Sequence, residues 1–119
     1  DGEPLMQASA DGRGFAASGG VASAVVNAIR RMEPNREVKV VSAEGLANCK
    51  KMLQLAKAGK YNGYLLEGMA CPGGCIAGAG TIQPIKKTAA SLEQMKKQAP
   101  FEESMDTVYD AMLPILEKL

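Results

Sequence analysis

The chain has 119 residues, a length that suits one small domain. Its formal charge is +1 and it contains no histidine. The near balance of charge, without a basic block, argues against nucleic acid and against an anionic membrane surface as partners. No run of about 18 apolar residues occurs, so no membrane-spanning segment is expected. Three cysteines without a disulfide framework fit a reducing compartment, and we therefore expect a cytoplasmic protein.

The first part of the chain predicts an irregular lead-in followed by a helix. Residues 1–14 lack periodicity and contain turn formers, so we expect a loop with, at most, a short extended stretch over residues 5–8. Ser18-Gly19-Gly20 then opens a helix that Pro34-Asn35 ends. Its apolar positions follow helical spacing: Val21, Ala24, Val25, Ala28, Ile29 and Met32.

The middle of the chain predicts a strand, a helix and a second strand. The strands are expected over residues 37–43 and 61–66, with a helix over residues 44–58 and Gly59 as its C-cap candidate. A strand, a helix and a second strand joined by short connections imply a right-handed βαβ unit with parallel strands. The predicted fold class is therefore α/β, a small parallel sheet with flanking helices. The helix should bury Leu46, Cys49, Leu53 and Ala56, with Cys49 acting as a small hydrophobe.

The last third of the chain predicts two helices. Pro84 suits the first turn of a helix whose apolar positions are Ile85, Thr88, Ala89, Leu92 and Met95. Pro100 separates it from a second helix over residues 102–119, which Pro114 should kink or divide. Four lysines are interpreted as a solvated face, with contact to a redox partner as the alternative: Lys86, Lys87, Lys96 and Lys97.

The most informative stretch is the cysteine loop, residues 70–80, which follows the second predicted strand. Cys71 and Cys75 enclose Pro72-Gly73-Gly74, and glycine tolerates the positive φ angles with which a loop can curl around a compact group. Ligands of open α/β sheets lie beyond the carboxyl ends of the strands. Thiolates among free backbone N–H groups suit an iron–sulfur cluster. A flexible turn with two incidental cysteines, or a disulfide, remains the alternative from spacing alone.

The string Met69-Ala70-Cys71-Pro72-Gly73-Gly74-Cys75 resembles the third cysteine motif of the iron-only, or [FeFe], hydrogenases. In that family the motif supplies two thiolates to the H-cluster, a [4Fe–4S] cubane joined to a di-iron subcluster. The resemblance implies that Cys71 is a cubane ligand and that Cys75 bridges the two parts. It also implies that Met69 packs beside the di-iron site.

The flanks of the motif are also similar to this family, with departures. Residues 14–21 resemble its Phe-Gly-Ala-Thr-Gly-Gly-Val segment, which makes Phe15 and Ala16 cofactor-binding walls, although Ala16 stands where glycine is usual. Gly19-Gly20 would then either give close packing or present a bare helix N-terminus to the anionic cluster. The family's first two cysteine motifs do not occur in the chain.

The resemblance therefore implies the C-terminal portion of a larger, two-lobed catalytic domain. Within it we expect residues 1–14 as lead-in, 15–83 as βαβ core with the cysteine motif, and 84–119 as C-terminal helices. The full protein would catalyse reversible H₂ oxidation and proton reduction with the H-cluster. The isolated chain would be inactive, contain no catalytic residue of its own and hold no cluster.

Two other functions remain open, and each implies different partners. One is a non-catalytic hydrogenase-like iron–sulfur protein in cluster assembly or electron transfer. The other is a dithiol redox or zinc module, although two thiols are only half of a zinc site. Expected partners of the hydrogenase are the missing N-terminal part of the same chain and a ferredoxin-like electron donor or acceptor. The isolated chain is expected to self-associate.

Overall fold

Two parallel strands pair along their whole length at the centre of the molecule. In this computed structural model, which describes residues 7–106, Pro114 and Lys118, they are β1 (Lys39–Glu44) and β2 (Tyr64–Met69). Their register runs from Lys39 opposite Tyr64 to Glu44 opposite Met69. The helices are α1 (Ala10–Gly14), α2 (Gly20–Met32), α3 (Leu46–Lys57) and α4 (Ile85–Lys97), with a short 3₁₀ turn at Cys75–Ala77. The predicted α/β class is confirmed.

Both strands start and end later than predicted, and β1 ends where a glycine follows it. Gly45, with φ 80°, follows β1, and its N–H donates to the carbonyl oxygen of Met69 at 2.8 Å. Glu44 therefore belongs to the strand, and α3 begins only at Leu46. At the other end of α3, Gly59 has φ 86°, which confirms its prediction as the residue that ends the helix.

The lead-in is partly helical, which corrects the prediction of a loop over residues 1–14. The Ser9 hydroxyl accepts a hydrogen bond from the Gly12 N–H at 3.0 Å and caps α1. Ala10 and Asp11 donate to the carbonyl oxygens of Phe101 and Glu102. Residues 101–106 are thereby held as a bridge, bends and a turn, so the helix predicted from residue 102 does not begin there. The rest of that prediction, apart from Pro114 and Lys118, lies outside the described residues, as do residues 1–6.

The core is thin, and three predicted helix faces are wrong in part, including that of α4, whose Ile85 and Met95 are 51% and 46% exposed. The buried apolar residues among those described are Ala22, Ala24, Val26 and Met52. Helix α2 packs between α1 and β2, so it buries residues on two sides, and its predicted Val25 and Met32 are exposed. Helix α3 covers only two strands and buries Met52 in place of Leu46 and Leu53, which are 75% and 60% exposed.

Candidate metal centre

The cysteine loop leaves the carboxyl end of β2 and turns back at two glycines. Gly73 and Gly74 have φ 86° and 88°, as the sequence predicted for a curled loop. The Gly74 N–H donates to the Cys71 carbonyl oxygen at 3.0 Å, and the chain then enters the 3₁₀ turn that begins at Cys75. Both cysteines therefore lie on the loop that follows the carboxyl end of β2.

The two loop cysteines are free thiols with different exposure. Cys71 is half-buried, and its sulfur lies against Gly78, where an added Cβ would come within 3.4 Å of it. Cys75 is exposed. The disulfide alternative is not realised. Across residues 7–106, no group of three or more Cys, Asp or Glu side chains comes together as a ready cation site.

The segment before α2 is joined to the cysteine loop by backbone hydrogen bonds. The Ile76 N–H donates to the Ala16 carbonyl oxygen at 3.1 Å, and the Ser18 N–H donates to the Gly73 carbonyl oxygen at 3.2 Å. Ala16 therefore borders the loop, next to Cys75. Phe15 is the C-cap of α1, with 44% of its surface exposed. Met69, the third predicted cofactor contact, is the half-buried last residue of β2.

Gly74 is the tightest point of this junction. It is buried, and a Cβ on it would lie 2.6 Å from both the Ala16 carbonyl oxygen and the Ser18 nitrogen. Its positive φ and the lack of space each require glycine here. The close approach explains how two segments more than fifty residues apart become one site.

The N-terminus of α2 is not bare, which corrects one of the two interpretations of Gly19-Gly20. The buried Glu67 carboxylate accepts a hydrogen bond through Oε1 from the Ala22 N–H at 3.0 Å, while Oε2 has no hydrogen-bond partner. Close packing, the other interpretation, is present at Gly20, where a Cβ would lie 1.9 Å from the Gly14 carbonyl oxygen. Glu67 thus supplies an acceptor oxygen for one of the N–H groups that have no partner within the first turn of a helix.

A second carboxylate, Glu44, contacts the cysteine loop directly. It accepts hydrogen bonds from the Gly73 N–H, at 2.9 Å, and from the Ser18 side chain. The Ser18 bond, followed by the Gly73 bond, lowers the pKa of Glu44 below its ordinary value. Sequence reasoning missed both carboxylates; their positions near the carboxyl ends of adjacent parallel strands were the available indication.

Cys49 lies close to the site without joining the loop cysteines. Its sulfur is 3.5 Å from the Ala43 carbonyl oxygen and 3.6 Å from that of Met69, within reach of a weak S–H hydrogen bond. It also packs against Gly68, where an added Cβ would lie 3.3 Å from the sulfur. This half-buried position agrees with a packing role for Cys49.

A βαβ unit with a dithiol loop at its carboxyl edge defines an α/β protein with a candidate sulfur-ligand site. The chain belongs to the family described as the iron only hydrogenase large subunit, C-terminal domain, which matches residues 1–79. The match includes both loop cysteines and residues 16–18, which are hydrogen-bonded to Gly73 and Ile76 of their loop.

Its curated relatives include proteins named as probable cytosolic Fe–S cluster assembly factors. One from Aedes aegypti is 34% identical over 93 residues, covering 69% of this chain and 20% of that protein. The Culex quinquefasciatus protein is 33% identical with the same coverage, and that of Drosophila mojavensis is 36% identical over 69 residues, covering 53% of this chain and 14% of that protein. The chain thus spans about a fifth or less of the relatives it matches.

None of the helices within the described part of the chain has the length and apolar character needed to cross a bilayer.

Proposed function

We propose that this chain is the cysteine-bearing part of a hydrogenase-like iron–sulfur protein that works in cytosolic iron–sulfur cluster assembly. One observation carries the proposal: the Cys71–Cys75 loop lies inside the matched region of a family whose curated relatives here are named as assembly factors. Hydrogen turnover is the second candidate function.

The donor set of the loop fits one half of a cluster site. Cysteine thiolates hold [4Fe–4S] clusters, usually four to a cluster. Cys71 and Cys75 lie on one curled loop, and the Cys71 sulfur lies against Gly78, which has no side chain. We infer that these two residues are ligands and that the other two thiolates come from outside this chain.

The loop's own residues would bind and orient the cluster. Gly73 and Gly74 set the turn between the ligands, and Ala16 and Ser18 hold it against the start of α2. Phe15 and Met69 are proposed as neighbouring walls that limit solvent access. When bound, the cluster would supply a one-electron couple, whose potential depends on the charge and hydrogen bonding around its sulfurs.

The second candidate is an [FeFe]-hydrogenase with the H-cluster, and the family match itself favours it. In that case Cys75 would bridge the cubane and the di-iron subcluster, and a ferredoxin-like protein would exchange electrons with it. The cysteine motif alone is common to both candidates, so the test must measure cluster content and hydrogen turnover separately.

The test uses the product of the full open reading frame, purified without oxygen. We expect iron and acid-labile sulfide in a [4Fe–4S] ratio, and no hydrogen evolution with a strong reductant. Cys71→Ser and Cys75→Ser should each lower the iron content, whereas the matched control Cys49→Ser should keep it. Depletion of the protein in its own organism should lower the activity of cytosolic iron–sulfur enzymes.

Two results would contradict the proposal. Iron content unchanged by both loop substitutions would remove Cys71 and Cys75 as ligands. Rapid hydrogen turnover that Cys75→Ser abolishes would replace the assembly function with the hydrogenase.

A further inference from the structure

The peptide units on both sides of Gly73 are held by groups outside the cysteine loop. Gly73 lies midway between Cys71 and Cys75, two residues from each. Its N–H donates to Glu44 Oε2 at 2.9 Å, and its carbonyl oxygen accepts from the Ser18 N–H at 3.2 Å. The orientation of the turn between the two thiols is therefore set from the end of β1 and from the segment before α2.

Glu44 connects these two supports. Its carboxylate also accepts a hydrogen bond from the Ser18 side chain, so one carboxylate bonds to both segments that meet at Gly73. These bonds lower the pKa of Glu44, which keeps the group negatively charged near neutral pH. Its backbone is fixed in turn, because Glu44 is the last paired residue of β1, opposite Met69.

Glu44 also changes what the loop can offer to a bound group. Backbone N–H groups that donate to cluster sulfurs raise the reduction potential, and a nearby negative charge lowers it. The Gly73 N–H is directed to a carboxylate oxygen and is not free for a sulfur. The loss of a free Gly73 N–H and the negative charge of Glu44 both lower the reduction potential, because reduction adds one electron and makes the cluster more negative.

We propose that Glu44 is a positioning residue for the Cys71–Cys75 thiol pair and that its charge lowers the reduction potential of the cluster these thiols hold. The inference rests on the proposed function for the cluster, but its positioning half concerns the loop itself. Neither half follows from the family resemblance, which assigns no role to Glu44.

Two substitutions separate position from charge. Glu44→Gln keeps an oxygen that can accept from the Gly73 N–H but removes the negative charge. Glu44→Ala removes both. Glu37→Gln is the matched control, because it removes the same charge from an exposed residue before the opposite end of β1.

The experiment uses the full open reading frame product in cluster-free and reconstituted forms. In the cluster-free form, Glu44→Ala should speed amide hydrogen exchange of peptides covering residues 71–76 about fivefold, as expected for loss of one ordinary hydrogen bond. Glu44→Gln should leave that exchange near the unmodified rate. In the reconstituted form, Glu44→Gln should keep its iron and shift the reduction potential to a more positive value, and Glu37→Gln should not.

The positioning role and the charge effect of Glu44 are each tested by a separate result. Unchanged exchange in Glu44→Ala would overturn the positioning role, and an unchanged potential in Glu44→Gln would overturn the role of its charge. A full-length protein that takes up no iron would overturn the proposed function and the charge effect together. The exchange comparison in the cluster-free form would still decide the positioning role.

Discussion

At the residue scale, the site depends on a close backbone approach that only glycine permits. Gly74 combines φ 88° with a Cβ position 2.6 Å from Ala16 and Ser18 backbone atoms. Gly80 has the same φ of 88° but has open space around its Cβ position. A side chain at either position would therefore meet backbone strain, and at Gly74 it would also collide with neighbouring backbone atoms.

We predict that Gly74→Ala destabilises the protein far more than Gly80→Ala. A non-glycine residue in the left-handed helical region costs about 1–2 kcal/mol, and Gly74, with ψ −165°, lies outside that region in a conformation that essentially only glycine adopts. Gly74→Ala must in addition separate the loop from residues 16–18, which breaks the hydrogen bonds around it. Urea unfolding measures the difference in the free energy of unfolding. Equal losses in the two variants would show that the junction can relax without cost.

Glu67 gives a second prediction at this scale. Glu67→Ala leaves the buried Ala22 N–H without its acceptor, so we expect a loss of about 1–3 kcal/mol in the free energy of unfolding. Glu67→Gln retains an acceptor oxygen and should cost less than Glu67→Ala. Urea unfolding of the two variants checks the order, and a Gln variant less stable than the Ala variant would mean that burying the amide NH2 costs more than the retained hydrogen bond contributes.

The sequence identified the residues whose chemistry or local pattern is distinctive and missed those defined by distant contacts. Cys71, Cys75 and the glycines between them are recognisable from composition and spacing. Glu44 resembles any acidic residue near a helix start, and its partners Ser18 and Gly73 are 26 and 29 positions away. Contacts between residues that are far apart in the chain produce no periodic pattern in a single sequence.

At the element scale, periodicity predicted which elements exist better than which faces they bury. The strand–helix–strand order and the parallel pairing follow from hydrophobic spacing, and both are present. The buried face of α3 does not follow, because a two-stranded sheet covers only a narrow stripe of the helix. The short helix α1 was missed since five residues give little periodicity, although Ser9 was a usable capping residue.

The segment over residues 101–106 shows why the last helix was placed too early. Residues outside the segment hold it in place. Backbone N–H groups of α1 donate to it, and Arg31 on α2 forms an ion pair with Asp106, with Glu103 nearby. The hydrogen bond from Arg31 is the largest influence that lowers the pKa of Asp106. A lowered carboxyl pKa means that the folded state favours the charged form.

We predict that acid loosens this segment. The stabilisation is present above the ordinary carboxyl pKa, near pH 4, and is lost as the pH falls through the lowered value. Asp106→Asn should abolish that acid-sensitive step, while Glu93→Gln on α4 should leave it. Hydrogen exchange of residues 99–106 between pH 5 and pH 2, corrected for intrinsic rates, measures it. Equal relative protection across this range in the unmodified chain would contradict the role of the ion pair.

At the scale of the whole molecule, the described residues form a thin core with much apolar surface outside it. Met32, Leu46 and Ile82 are 72%, 75% and 93% exposed. The described sheet has two strands, so each has one edge without a strand neighbour. Exposed apolar patches and open edges favour association.

We therefore predict that the 119-residue chain self-associates in solution. Sedimentation velocity over a range of concentrations should show a weight-average mass that rises with concentration. Leu46→Lys and Leu53→Lys together should reduce the rise, whereas Lys50→Arg on the same helix should not. A monomer at every concentration would show that these surfaces do not bind one another.

The last prediction concerns the metal content of the chain by itself, which we expect to fall short of a [4Fe–4S] cluster. Such a cluster usually needs four cysteine thiolates, and the chain has three cysteines. The sulfur of Cys49 is packed beside the carbonyl oxygens of Ala43 and Met69, and within residues 7–106 it does not join the two loop thiols as a group of three ligands. Anaerobic reconstitution with iron and sulfide should therefore give fewer than four irons per chain, and the full open reading frame product should give the complete cluster. Uptake of four irons per monomer by the 119-residue chain, with cubane absorption that disappears in Cys71→Ser, would show that the chain completes a cluster site without ligands from elsewhere.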